Sequence, residues 1–245
     1  MLHETIQTEA IVLVEKELGD DDKLFFLYTK EFGKVEVLGK AIRKSKAKLR
    51  GGLQQLNYIL IEFVKGKTFN IATDAIIKKE FLEIKKNPKI FRQAIYLGNL
   101  LHSLTEPNEK DQRMWDLISD TLNDLENILE NHYWLFARYF EWNLMAFLGF
   151  EPELYKCLSC EEKIKHGKFF FSAKRGGVLC KKCLEKRRNL PQEISRDAIK
   201  ILRLIIHQDK KILKRLKITK EQEIELKKLS QYYITRTIQE EVFII

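Results

Sequence analysis

The spacing of apolar positions changes twice along the chain. From Thr5 to Thr73, short apolar runs alternate with polar turns. Thr5–Val14 is rich in β-branched residues, Gly19-Asp-Asp-Asp22 is a polar turn, and Lys23–Thr29 supplies a second apolar run. Glu31-Phe-Gly-Lys34 predicts a tight turn and Val35–Leu38 a short third strand. Asn57–Val64 alternates as a half-buried strand does, and Lys65-Gly-Lys67 turns it into Thr68–Thr73. About five short strands within residues 1–80 predict a small closed barrel, since an open sheet of that size exposes its edges.

From residue 88 the period becomes helical. Ile90, Phe91, Ala94, Ile95, Leu97 and Leu101 share one side of a helix, and Trp115, Ile118, Leu122, Leu125 and Leu129 repeat every three or four residues. Tyr133–Phe147 is aromatic almost all round, which predicts a central buried helix stopped by Gly149 and Pro152. After a cysteine-bearing insert at 153–188, helices resume over Ser195–Ile206 and Glu221–Ile245. The predicted architecture is α+β and multidomain: a barrel at 1–80, then a helical domain at 81–245 interrupted by the insert.

Composition narrows the functional classes. The chain has 245 residues, a net charge of +9 and 44% hydrophobic residues, enough for a real core. No run of 18 or more apolar residues occurs, which argues against a membrane span, and the N-terminus lacks the apolar segment of a secretion signal. Charge is uneven, at +2 over 1–80, −3 over 81–150 and +10 over 151–245. Lys40, Arg43, Lys44, Lys46, Lys48 and Arg50 place six cations and no acid in eleven residues. A second concentration, eleven cations against three acids, spans Lys156–Arg188 and includes Lys174 and Arg175 beside Gly176-Gly177. Two such clusters point to a polyanion, most commonly nucleic acid. Phe25, Tyr28, Phe32 and Tyr58 could stack on bases, although each also suits a core.

All four cysteines lie in the insert, as Cys157-x-x-Cys160 and Cys180-x-x-Cys183 with nineteen residues between the pairs. That spacing predicts a zinc finger, because each pair can bind one tetrahedral ion through two thiolates. The segment between them can fold back through Lys168–Phe171, a turn at 172–177 and Val178-Leu179. Four thiolates leave no open position for water, so the zinc is expected to be structural. His166 fits a loop histidine better than a ligand. Gly66-Lys-Thr68 lacks the earlier glycine of a phosphate-binding loop, and the Asp20–Asp22 run reads as an acidic turn. No Ser/His/Asp, dinucleotide or zinc-hydrolase pattern survives, and the expectation is a binding protein and not an enzyme.

The residues resemble a known family. Ala10-Ile-Val-Leu13, Gly19–Leu24, Thr29–Lys34 and Leu49-Arg-Gly-Gly52 are similar to the N-terminal pattern of the bacterial recombination mediators of the RecO family. Phe147–Pro152, the first cysteine pair and Gly176-Gly-Val-Leu-Cys180-x-x-Cys183 are similar to its finger pattern. The likeness covers roughly residues 5–82 and 140–184. It implies an OB-fold that binds single- and double-stranded DNA, followed by a helical domain with a zinc finger. Cysteines confined to one insert point to a reducing cytoplasm, and the resemblance implies a nucleoid-associated protein that anneals strands coated with single-stranded DNA-binding protein, captures that protein's C-terminal tail and helps load RecA with RecR. The family's Gly-Arg-x-x-Lys-Ser pattern appears here only as Thr235-Arg-Thr-Ile-Gln239. The competing expectation is a zinc-ribbon transcription or translation factor.

Overall fold

A computed structural model describes residues 5–43, 49–128, 132–184, 191–207 and 210–242. These fall into two compact units, Met1–Tyr133 and Trp134–Ile245.

In the first unit, β1 (Thr5–Leu18), β2 (Asp22–Thr29), β3 (Gly33–Gly39), β4 (Tyr58–Val64) and β5 (Asn70–Lys79) close a barrel in the order β1-β2-β3-β5-β4. All pairings are antiparallel except β3 with β5, which meet in parallel over Val37–Asn70 and Leu38–Ile71. The expected five strands are therefore present, in an OB-like barrel. β5 runs six residues beyond the expected Thr73, to Lys79. From Thr73 onward it has no buried residue, so little alternation marks that half.

The barrel interior is filled by alternate residues of each strand, among them Ala10, Val12, Phe25, Leu27, Val37, Ile59 and Ile61. The outward set on β1 is also buried, with Ile11 and Leu13 at 0% exposure. Ala10–Leu13 is apolar throughout because a helix covers that outer face. The helix is α3 (Pro88–Leu104), and a Cβ on its Gly98 would lie 3.5 Å from the Leu13 carbonyl oxygen. Pro88 opens α3, and the Asn87 side chain accepts from the Lys89 and Ile90 amides. Two further helices complete the unit, α2 (Leu82–Lys86) and α4 (Gln112–Glu126). The Glu126 carboxylate accepts from the Glu83 and Ile84 amides, which caps α2 from a distance. At the β2–β3 turn, Gly33 has φ +65° and a Cβ there would meet the Glu109 carbonyl oxygen at 1.9 Å. No other residue type fits that position without moving the backbone. The buried Lys34 ammonium beside it donates to the carbonyls of His102 and Thr105.

The second unit is organised by α5 (Tyr133–Phe147), buried continuously from Leu135 to Met145 as its aromatic periphery predicts. It stops in a Schellman motif, in which Phe150 N–H donates to Met145 and Gly149 N–H to Ala146, with Gly149 at φ +92°. Arg138 and Glu141 form an ion pair on α5 with side chains 6% and 1% exposed. A finger sheet follows, built from β6 (Phe169–Ser172), β7 (Gly177–Cys180) and β8 (Gln192–Ile194) in the order β7-β6-β8. Then come α7 (Arg196–Ile206), the short α8 (Lys210–Leu213) and α9 (Lys220–Val242). Thr219 and Gln222 cap α9 reciprocally, side chain to amide in both directions. Three rings join these parts: Trp142 of α5 stacks on Tyr233 of α9 at 5.1 Å, and Phe171 of β6 meets both edge-on at 5.8 and 5.3 Å. Among the described residues no helix is long and apolar enough to cross a membrane.

Candidate metal centre and nucleic-acid surface

The two cysteine pairs converge. The Sγ atoms of Cys157, Cys160, Cys180 and Cys183 all lie within 4.8 Å of one another, and the Cys160 and Cys180 sulfurs are 3.9 Å apart. A tetrahedral ion with metal–sulfur distances near 2.3 Å requires sulfurs about 3.8 Å apart, so the set fits with small adjustments. Among the described residues it is the one group of three or more His, Cys, Asp or Glu side chains placed to hold a metal. His166 is exposed in the loop and lies outside the group.

Local sequence explains the convergence. Cys157 N–H donates to the Glu162 carbonyl and Glu161 N–H to the Cys157 carbonyl, which curls Cys157–Glu162 into a knuckle with Glu161 at φ 59°. Leu158 N–H donates to Val178, tying the first pair to the strand that carries the second. The second pair straddles the junction of β7 with α6 (Lys181–Leu184). A Cβ on Gly177 would approach the Glu153 carbonyl oxygen to 2.6 Å, so close seating of this strand requires glycine.

Electrostatics in the centre favour a cation. Burial opposes ionisation of the Cys157 thiol, but the backbone N–H groups of Cys160, Cys180 and Ser159 outweigh it and hold the thiol down at about 6. At Cys160 the Glu162 N–H favours the thiolate, yet burial and the neighbouring thiols push it up to about 12. For Cys180, burial dominates and the direction is also upward. One thiolate therefore forms readily and discourages the others. A bound cation would remove that penalty.

The basic run of the barrel is described at its two ends. Lys44, Lys46 and Lys48 lie outside the described residues. Lys40 is exposed at the end of β3, and Arg50 is exposed on the short helix α1 (Leu49–Gly52). Arg43 is also exposed and pairs with Glu17 at 2.9 Å. A cavity of about 440 Å³ lies here, lined by Glu15, Glu17, Lys23, Phe25, Arg43 and Arg50 among others. The acidic turn has a role that sequence reasoning missed. The Asp22 carboxylate accepts from Ala41 N–H at 2.7 Å and the Asp21 carbonyl from Arg43 N–H at 3.1 Å, pinning the start of the basic run to the β1–β2 turn. Aspartate side chains commonly hold turns in this way, which was the available signal.

The remaining candidates divide clearly. Phe25 and Tyr28 are each 1% exposed and belong to the core, Tyr58 is half-buried, and Phe32 is 39% exposed. Lys174 is exposed at the tip of the β6–β7 hairpin. Its neighbour Arg175 donates to the Leu158 carbonyl, so it braces the hairpin against the first knuckle.

Two family models match the chain: one described as Recombination protein O N terminal over residues 1–81, the other as Recombination protein O C terminal over 93–242. A DNA repair protein RecO of Dehalococcoides mccartyi is 30% identical over 222 residues, covering 90% of this chain and 86% of that protein. DNA repair proteins RecO of Alkaliphilus metalliredigens and Caldicellulosiruptor saccharolyticus are each 28% identical, covering 94% and 98% of this chain and 92% and 96% of theirs.

Proposed function

Because the chain belongs to the recombination protein O family, we propose that it is a non-enzymatic mediator of DNA repair that binds single- and double-stranded DNA and anneals complementary strands. In this reading residues 1–80 form the DNA-binding OB-fold domain, and 81–245 form a helical domain carrying the finger at 153–188. It works in the cytoplasm at the nucleoid. With RecR it helps load RecA onto DNA coated with single-stranded DNA-binding protein, whose acidic C-terminal tail it captures.

The observation that carries the proposal is the basic corner of a closed five-stranded barrel, where Arg43 and Arg50 border one cavity, Lys40 stands exposed at the end of β3 and an acidic turn anchors the start of the run. Lys40, Arg43, Lys44, Lys46, Lys48 and Arg50 follow phosphates, which need point charges and carry no base information. Lys174 adds a contact from the finger, and Arg175 supports it from the knuckle side.

The metal we propose is zinc, held by Cys157, Cys160, Cys180 and Cys183. Four sulfurs complete its coordination, so it supplies folding energy and no water for chemistry. What this chain does around it is fix the hairpin that presents Lys174.

Titration of single-strand, duplex and RNA ligands at two salt concentrations tests the proposal. Sequence-independent, salt-sensitive binding to DNA, with single strands bound at least as well as duplex, is the expected result. Selective binding to one duplex sequence or to RNA would replace it with the zinc-ribbon factor reading.

A further inference from the structure

A second basic run in the C-terminal unit matches the composition of the first. Lys210, Lys211, Lys214, Arg215, Lys217 and Lys220 place six cations and no acid in eleven residues. Their setting is partly rigid. Lys210 sits 5.2 Å from the Tyr139 ring centroid and Lys214 5.8 Å from that of Phe136. Both rings are buried on α5, so each ammonium is held near an aromatic face while Lys214 stays exposed. Lys220 pairs with Glu223 at 2.9 Å. Arg215 and Lys217 are exposed.

The apolar side chains of the run point inward. Leu213 is 1% exposed, and Leu216 and Ile218 are half-buried, which leaves Ile212 at 44% as its one exposed large apolar residue. An acidic peptide with apolar anchors requires a groove for those anchors. A phosphodiester backbone requires only a row of cations. The composition and the inward apolar face favour the backbone.

We propose that Lys210–Lys220 is a second DNA-backbone surface, which takes the strand complementary to the one held on the barrel. It rests on the reading of the chain as a strand-annealing protein. Two single strands repel each other through their phosphates, and annealing needs both held at once. Two cationic runs of equal charge, one in each compact unit, meet that requirement without base recognition.

The experiment uses the full-length zinc-loaded protein. Arg215→Glu with Lys217→Glu is compared with wild type and with Lys227→Glu plus Lys228→Glu, an equal charge change at exposed positions of α9. Binding of an oligo-dT strand and the initial annealing rate of a complementary mixed-sequence pair are both measured. The expected result is oligo-dT binding within about twofold of wild type and annealing slowed at least tenfold, with the α9 variant unaffected. Normal annealing overturns the proposal, as does equal slowing by the α9 variant, which would make the effect one of net charge. Loss of binding to an acidic, apolar-ended peptide with annealing intact also overturns it, in favour of a peptide site. If wild type itself fails to anneal, the annealing reading falls and this surface with it, an outcome distinct from a failure of the variant alone. Amine acetylation footprinting of wild type reads the same surface without a variant: Lys214 and Lys217 become protected only when the second strand is present, and absence of protection overturns the assignment.

Discussion

Every strand of the barrel pairs with two neighbours, and twelve buried apolar residues form its core. The strands of the finger are four, four and three residues long, and their buried side chains reduce to Phe169, Phe171, Val178, Leu179 and Ile194. Burial of this kind stabilises by roughly 2 kcal/mol per large side chain, against ordering costs of about 1–2 kcal/mol for every residue fixed. The barrel is held by its ladder and its interior. The finger has less of both, and a metal cross-link at its cysteines would make up the difference. The difference teaches where each region should break: the barrel at single points of close packing, the finger at its four-cysteine cluster.

The largest expected effect is on the finger. Cys157→Ser, or removal of metal by a chelator, should cost on the order of 5 kcal/mol in local stability. Hydrogen exchange should rise over 153–184 while the amides of β1, β2 and β4 stay protected. Wild-type exchange in a metal-free finger would end the contrast between the regions. In the barrel, Gly33→Ala should cost about 3 kcal/mol, from the left-handed backbone and the approach to Glu109, read as a lowered denaturation midpoint. That change should leave zinc content at one per chain.

Function should separate from both. Replacing Arg43, Lys44, Lys46 and Lys48 with Ala should weaken binding to all DNA sequences alike. It should reduce the slope of log affinity against log salt by roughly 3 on single strands, about 0.7 per phosphate contact. Folding should change by less than about 0.5 kcal/mol, because exposed charges contribute little to stability. An unchanged slope in titrations would return this run to ordinary surface.

A smaller effect concerns pH. Burial, then the Lys34 and Lys16 charges, hold His102 below its ordinary 6.5. The unfolded chain therefore takes up this proton first as pH falls. The contribution of His102 to stability is complete above about pH 6.5 and is lost as pH drops toward the folded value. His102→Gln should flatten the denaturation midpoint across that window. The smallest effect is at Glu17, whose pairing with Arg43 competes with phosphate. Glu17→Gln should raise DNA affinity by no more than about threefold in the same titrations.

Much of this was legible from residue order. Alternation marked the barrel, and the aromatic periphery of Tyr133–Phe147 marked the buried helix at its observed bounds. The paired cysteines marked the one group among the described residues placed to hold a metal. What escaped has physical reasons. β8 is three residues long and gains its identity by pairing with β6, as in the pairs Phe169–Ile194 and Phe171–Gln192, far apart along the chain. α2 is one turn capped by Glu126, which lies forty-two positions beyond Ile84. Arg138 and Glu141 look like ordinary helix surface three residues apart, and only the packing around α5 buries them. Arg175 reads as a free cation beside two glycines, whereas the knuckle carbonyl of Leu158 takes its guanidinium.

The pairing of β6 with β8 has a consequence for the order in which the second unit assembles. β8 ends one residue before Ser195, whose hydroxyl accepts from Ala198 N–H at the start of α7. To lay β8 against β6, the chain must close a loop that contains the second cysteine pair. An ion gripping both pairs would tie residue 157 to residue 183 in advance, much as a covalent tether does, and closing a ring of this size is worth about 3.5 kcal/mol of chain entropy. A bound ion would therefore act as a scheduling element in synthesis. Without it, the strand that leads into α7 would search a long loop; with it, the same strand would have only a short tail to place.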